Sequence, residues 1–406
     1  MNNKYKQVLL LYCSTIGGVF LGILCSVINT RSLLPIDYGN VRYIQNLIAF
    51  ISSLLLLGYF TSGSRLLALS NDESYGRKIR GAMVFIMGCT ILFLSFVMFV
   101  LFLYGLSTKD MVLTPLYFTS IFTGGNVILL NYINTTAQGD NHIGRISLAR
   151  LLPSLMYIAI ALIIYHYIRV TSFLMLLLYN GSAVIVLAWI VYTTKPSFKN
   201  LRFSLFELQK ENKKYGFQVY IGSVAGVSTT YIAGITLGSF CKDNTEVGFY
   251  TLSLTMAMPL TMLPSIIGTT YFRQFAQQNR IEKKIFRMSV LMSIVAFVLF
   301  VLVIDLVVKV LYDDNYSSVS TYASYLAIGT SIHGLGDMLN RFLGAHGQGK
   351  ALRNSAFLCG IVITIGSLFL VYYFQIRGAI ITKVAGSIAY FLAMLYYYRM
   401  FTKQQQ

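Results

Sequence analysis

Twelve times along this chain a run of roughly twenty mostly apolar residues is followed by a polar connection. About 20 residues of α-helix cross a hydrocarbon layer ~30 Å thick, and in lipid only helices or closed barrels satisfy every backbone polar group. The runs are 7–30, 43–69, 81–103, 111–135, 151–168 and 171–193, then 216–240, 247–272, 288–311, 319–343, 357–374 and 378–398. The connections after Ile168 and Phe374 are so short that those neighbours must form tight hairpins. Only 11% of the residues are charged and the mean hydropathy is +0.66. A soluble domain carries about a quarter charged residues. The fold class is therefore an all-α polytopic membrane protein with twelve transmembrane helices.

Lysine and arginine orient such a protein, because cytoplasmic connections retain them. With the N-terminus inside, cytoplasmic segments hold 23 of the 32 basic residues and outer loops hold 7. Both termini are expected in the cytoplasm. Lys4 and Lys6 precede an apolar run that is too long for a signal peptide and lacks a small-residue cleavage site, so it reads as a retained span. The longest polar interruption is 195–215, KPSFKNLRFSLFELQKENKKY. It separates a lobe at 1–194 from a lobe at 216–406. Phe198, Leu201, Leu205 and Leu208 recur at helical spacing, so the linker is either an amphipathic helix on an anionic surface or a solvated basic tether.

The halves resemble each other. Asp37-Tyr38-Gly39 pairs with Glu246-Val247-Gly248, and Gln138-Gly139 with Gln348-Gly349, at nearly one offset. Six spans per half send both halves into the membrane in the same sense. The expected architecture is two six-helix lobes related by an internal repeat, with a substrate site between them.

Several chemistries lack their residues. Cys13, Cys25, Cys89, Cys241 and Cys359 form no CxxC or Cys/His cluster, so no metal site or disulfide framework is indicated. No stretch matches a P-loop, and no cofactor is implied. The net charge of +18 has no basic domain outside the membrane in which to bind nucleic acid. Outer loops are too short to present the paired carboxylates of a glycan polymerase; Asp313-Asp314 reads as a solvated turn.

Ionisable residues inside spans are costly and mark function. Arg65 lies in the second span about a turn short of the inner surface, where it either snorkels to the cytoplasm or faces a cavity. Lys383 lies in the last span. Asp305 and Lys309 have the spacing of a local helix pair. The tenth span, SIHGLGDMLNRFLGAHGQG, places His333, Asp337 and Arg341 on one face. Asp337 and His333 are candidates for ion coupling, by protons or sodium, unless Asp337 and Arg341 form a static pair. Asn126, Asn131, Asn134 and Gln138 of the fourth span suit sugar hydroxyls or interhelical bonds. Pro259 and Pro264 are expected to kink or break the eighth span.

NTRSLLPIDYGN, GSRLLA, INTTAQGDNHIGR, EVGFYTLSLTMAMPL, AHGQGKALRN and IRGAIITKVAGS occur in this order along the twelve runs. In these strings the chain resembles the polysaccharide-repeat flippases (Wzx type) of the multidrug/oligosaccharidyl-lipid/polysaccharide exporter superfamily. The resemblance implies a V-shaped pair of six-helix lobes in a bacterial cytoplasmic membrane, moving an undecaprenyl-pyrophosphate-linked sugar unit through a basic cavity. It implies that Arg65 lines the inner mouth; Arg31, Arg42, Arg341, Lys383, Asn131, Asn134 and Gln138 are the further candidates for substrate binding. It further implies membrane lipids, a polysaccharide polymerase and a chain-length regulator as partners. The seventh span departs from the family pattern, opening YGFQVYIGS without a proline after the glycine. An ion-coupled drug antiporter of the same fold is the competing reading, with a membrane polymerase third. In-span bases outnumber in-span acids, which favours a pyrophosphate.

Overall fold

The structure, a computed structural model, describes residues 3–70 and 72–404. Among them every regular element is helical. In chain order these are α1 (Asn3–Thr30), α2 (Pro35–Leu55), α3 (Tyr59–Leu69), α4 (Glu73–Thr108), α5 (Thr114–Thr123), α6 (Asn126–Gly139), α7 (Ile143–Tyr167) and α8 (Ser172–Thr193). There follow α9 (Leu201–Glu211), a π-helical turn Asn212–Gly216, α10 (Phe217–Phe240), α11 (Thr245–Thr270), α12 (Phe272–Gln277), α13 (Lys283–Leu311), α14 (Ser318–Ala345) and α15 (Gly349–Gln404). Eight described spans, α5 with α6 counted as one of them, are long and apolar enough to cross a membrane, and a ninth crossing is reached if α2 and α3 count as one bent span. The protein is thus a multi-pass membrane protein.

Each expected apolar run falls on helix, but three run differently from the sequence expectation. The second is broken: α2 and α3 meet at 59°. The fourth is interrupted at Gly124-Gly125, between α5 and α6. The eighth is not broken, since α11 runs as one element through Pro259 and Pro264. Gly334 of α14 lets the two helices approach here, since a Cβ at that position would crowd the Pro264 ring and the Thr261 carbonyl. The predicted hairpins both occur: four residues join α7 to α8, and α15 turns back at Gln375, whose φ of 51° departs from the helix.

By contact the chain separates into two compact units. The first comprises 1–33 and 44–224, the second 34–43 and 225–406. Residues 195–224 thus group with the first unit, and the opening turns of α2 with the second. In the first unit Phe60 meets Tyr132 edge-to-face at 5.9 Å, with Ile79 and Met83 fully buried nearby in sequence on α4. In the second, Phe342 sits among Phe275, Tyr398 and Phe401.

The break between α2 and α3 is clasped by the linker. Leu57 and Gly58 both adopt positive φ, 47° and 81°, a conformation glycine reaches without cost. The Asn212 amide donates to the Leu57 carbonyl at 3.0 Å and accepts from the Ser62 hydroxyl at 3.1 Å. Gly216 closes on Gly58 so tightly that a Cβ there would overlap Ser62, Asn212 and the Gly58 carbonyl. Ser204, Leu208, Asn212 and Gly216 are all buried, a four-residue stripe that pins α9 and its π-turn to the unit. Part of the linker is helical, but the stripe it buries is packed on protein and differs from the expected Phe198, Leu201, Leu205 and Leu208: of these only Leu208 is buried, and Phe198 is exposed. Phe203 and Phe206 remain exposed on its other side.

Candidate functional site

A cluster of polar groups inside the second unit lies where α14 packs on α15. His333 stacks on Tyr390, with ring centroids 4.5 Å apart and planes 17° from parallel. The Tyr390 hydroxyl donates to Asp337 Oδ1 at 3.1 Å and accepts from the Asn340 amide at 3.0 Å. Lys383 comes within electrostatic reach of His333, Asp337 and Cys359. It lies deep in the unit yet is partly accessible, and no carboxylate among the described residues is within ion-pair distance of it. His333 Nδ1, within its electrostatic reach, is buried without a protein partner, as are the hydroxyls of Ser367, Thr382 and Ser387 elsewhere on α15. Buried polar groups normally find partners, so an unmet imidazole nitrogen near an unpaired ammonium fits a place built for polar contents.

The local sequence explains the gathering. On α14, His333 and Asp337 are one turn apart; on α15, Lys383, Gly386, Ser387 and Tyr390 follow the i, i+3, i+4, i+7 spacing of one helix face. Small residues permit the close approach: a Cβ at Gly336 would strike the Tyr390 ring. Sequence reasoning found His333, Asp337 and Lys383 and missed Tyr390, although its spacing of seven from Lys383 was the available signal. The proposed static pair between Asp337 and Arg341 does not form. No ion pair joins them, Arg341 is exposed, and Tyr390 is the partner of Asp337.

In the first unit Arg65 is not a bare base. Its Nη1 donates to Glu211 Oε1 at 2.6 Å, and its guanidinium lies 4.7 Å from the centroid of the Tyr215 ring. The Arg65 side chain keeps 40% exposure, against 15% for Glu211. The linker therefore supplies an anionic partner for Arg65, which the sequence did not indicate because the two lie 146 positions apart. Buried Arg80 is likewise neutralised, by Asp140 at 2.8 Å and by Glu73.

The remaining candidates are dispersed. Arg42 donates to the Tyr38 hydroxyl at 2.8 Å and lies over that ring. Arg31 is exposed in the turn after α1. On α6, Asn131 is half-buried, Asn134 Oδ1 is buried without a partner, and Gln138 is exposed. An amide group forms instead one turn earlier, where Asn126 and Gln45 each donate to Asn180 Oδ1 at 3.4 Å. Asp305 and Lys309 form the expected local pair at 2.6 Å.

The fold is that of solved structures of the MOP superfamily. The chain is similar to an inward-facing multidrug resistance MATE family transporter at 14% identity, covering 96% of each chain with a TM-score of 0.72. Lipid II flippase MurJ in an inward closed conformation matches at 11% identity, covering 96% of this chain and 87% of that one, also with a TM-score of 0.72. The MATE multidrug transporter DinF-BH matches at 15% identity over 96% and 95%, with a TM-score of 0.65. No match is found among curated proteins. Residues 5–278 match the family described as polysaccharide biosynthesis protein, and the chain belongs to that family.

Proposed function

We propose that this chain is a flippase that moves an undecaprenyl-pyrophosphate-linked oligosaccharide repeat unit across a bacterial cytoplasmic membrane. The product feeds a surface polysaccharide such as O-antigen or capsule. The observation that carries this reading is Lys383, an intramembrane ammonium without a paired carboxylate, in a chain of the polysaccharide biosynthesis family. An unpaired cation held away from bulk water binds a phosphate oxygen more strongly than a sugar or an amine. Arg65 loads the headgroup from the inner side, exchanging Glu211 for phosphate. Arg341, Arg31, Arg42, Asn131, Asn134 and Gln138 are proposed to guide the headgroup and sugars. Twelve spans in two six-helix lobes, with both termini cytoplasmic, complete the proposal. A polysaccharide polymerase and chain-length regulator are its natural downstream partners.

Cells lacking the protein are expected to accumulate the lipid-linked repeat unit on the cytoplasmic face, read by protection from a membrane-impermeant glycan probe. Accumulation on the outer face would replace this reading with a polymerase. A second reading, an ion-coupled small-molecule antiporter, is favoured by Asp337, a half-buried carboxylate suited to a cation. Drug sensitivity of the same cells with normal surface glycan would select it.

Asp337 and His333 are proposed to couple transport to a proton or sodium gradient. With Tyr390 rather than Arg341 as its partner, Asp337 can be neutralised without breaking a salt bridge. Asp337→Asn is expected to give a folded, membrane-inserted protein whose export no longer responds to gradient dissipation. Gradient dependence equal to that of the unaltered protein would remove Asp337 from the coupling role.

A further inference from the structure

We propose that the first unit carries a seat for an anionic phospholipid of the surrounding membrane, with one hydrocarbon chain held in a cavity beside the linker helix. The cavity, of about 540 Å³, lies between the α2/α3 break, α4 and α9. Its walls are hydrocarbon and aromatic: Leu55, Leu57 and Tyr59 from the break, Ile86 and Phe93 from α4, and Leu205 from α9. The Thr90 hydroxyl already donates to the Ile86 carbonyl at 2.8 Å, which leaves the Tyr59 hydroxyl, the Cys89 thiol and the Gln209 amide as the other polar groups on a mostly apolar wall. Leu57 is 44% exposed and Phe93 54% exposed, which makes this an open cavity that a chain can enter from the side.

The headgroup end is set by α9. Its outward side combines exposed Phe203 and Phe206 with exposed Arg202 and Lys210, and exposed Lys213 and Lys214 continue the charge. A helix bearing exposed aromatics beside basic residues lies in the headgroup layer, where the bases select anionic lipids. Leu205 and Gln209 bring the cavity lining onto the same short helix, so chain and phosphate are served by adjacent turns. Arg202 and Lys210 form no ion pair among the described residues, which leaves both available to a phosphate. A zwitterionic lipid would fill the same walls but would leave those charges without their complement. This seat is independent of what the protein transports.

Cys89 tests it, since its thiol is exposed and lines the cavity. The full-length protein in detergent is alkylated with a maleimide while phosphatidylglycerol or phosphatidylcholine is titrated in, and the adduct at Cys89 is followed by peptide mass spectrometry. Cys13 on α1, also exposed, is the reference. Phosphatidylglycerol is expected to slow alkylation of Cys89 at least about fivefold more than phosphatidylcholine, with Cys13 responding alike to both. The double variant Arg202→Gln/Lys210→Gln, which alters exposed side chains only, is expected to abolish that preference with an unchanged melting temperature. Equal protection by the two lipids, no protection, or a preference that survives in the double variant would each overturn the proposal.

Discussion

Replacing Lys383 by methionine is expected to lower export of lipid-linked glycan by about ten- to a hundredfold while the protein remains folded in the membrane. The size follows from the loss of a charge-assisted hydrogen bond to phosphate, worth ~1.5–3 kcal/mol, at about 1.4 kcal/mol per factor of ten. The sign of the stability change is what makes the experiment informative. Lys383 lies deep among helices with no paired carboxylate, so removing its charge removes a desolvation cost. The methionine variant should melt at the same temperature or higher, measured by fluorescence-detected size exclusion after heating. Normal glycan export by a well-folded Lys383→Met protein would remove Lys383 from the substrate path. A less stable protein would instead make the lysine a structural element.

The clasp at the α2/α3 break gives a second large effect, this time on stability. Gly216→Ala should destabilise the protein by roughly 2–4 kcal/mol, combining local overpacking with the loss of buried bonds from Asn212. For a unit of this size that is a fall of about 5–15 °C in melting temperature. The cause is steric: a methyl group at residue 216 overlaps the Gly58 carbonyl, the Ser62 hydroxyl and the Asn212 amide, which together hold the break. Gly222→Ala, two turns further on in α10, is the control. A Cβ there meets nothing within 4 Å, and alanine is the better helix former by up to about 1 kcal/mol. The two substitutions should therefore move the melting temperature in opposite directions, or leave Gly222→Ala neutral. A Gly216→Ala protein as stable as the Gly222→Ala protein would mean that the clasp contributes little.

The membrane class was legible because it is a property of runs. A stretch of apolar residues long enough to cross a bilayer must be a helix whatever it packs against, since lipid offers no partner for a free backbone group. The positions of the helices and the short hairpins follow from spacing in the same way, whereas spacing pointed to Phe198, Leu201, Leu205 and Leu208 on the linker and packing buried Ser204, Leu208, Asn212 and Gly216 instead. His333, Asp337 and Lys383 were legible as polar exceptions within such runs. What spacing along one helix does not carry is the choice of partner on another. Arg65 is the example: its place in a span suggested an open base, but Glu211 neutralises it across 146 positions of sequence. Asp337 is the converse, since a candidate partner stood one turn away at Arg341 and tertiary packing assigned Tyr390 instead. Pro264 stands in an unbroken helix packed against a glycine of α14, whereas α2 and α3 broke at Leu57-Gly58 and were held there by Asn212. Sequence alone thus determined that the chain is a helical membrane protein, because burial in lipid is a local demand on each run. Which polar groups meet, which charge is left unpaired and where a helix bends were decided only by tertiary structure, because each depends on the shapes and partners that distant segments bring together.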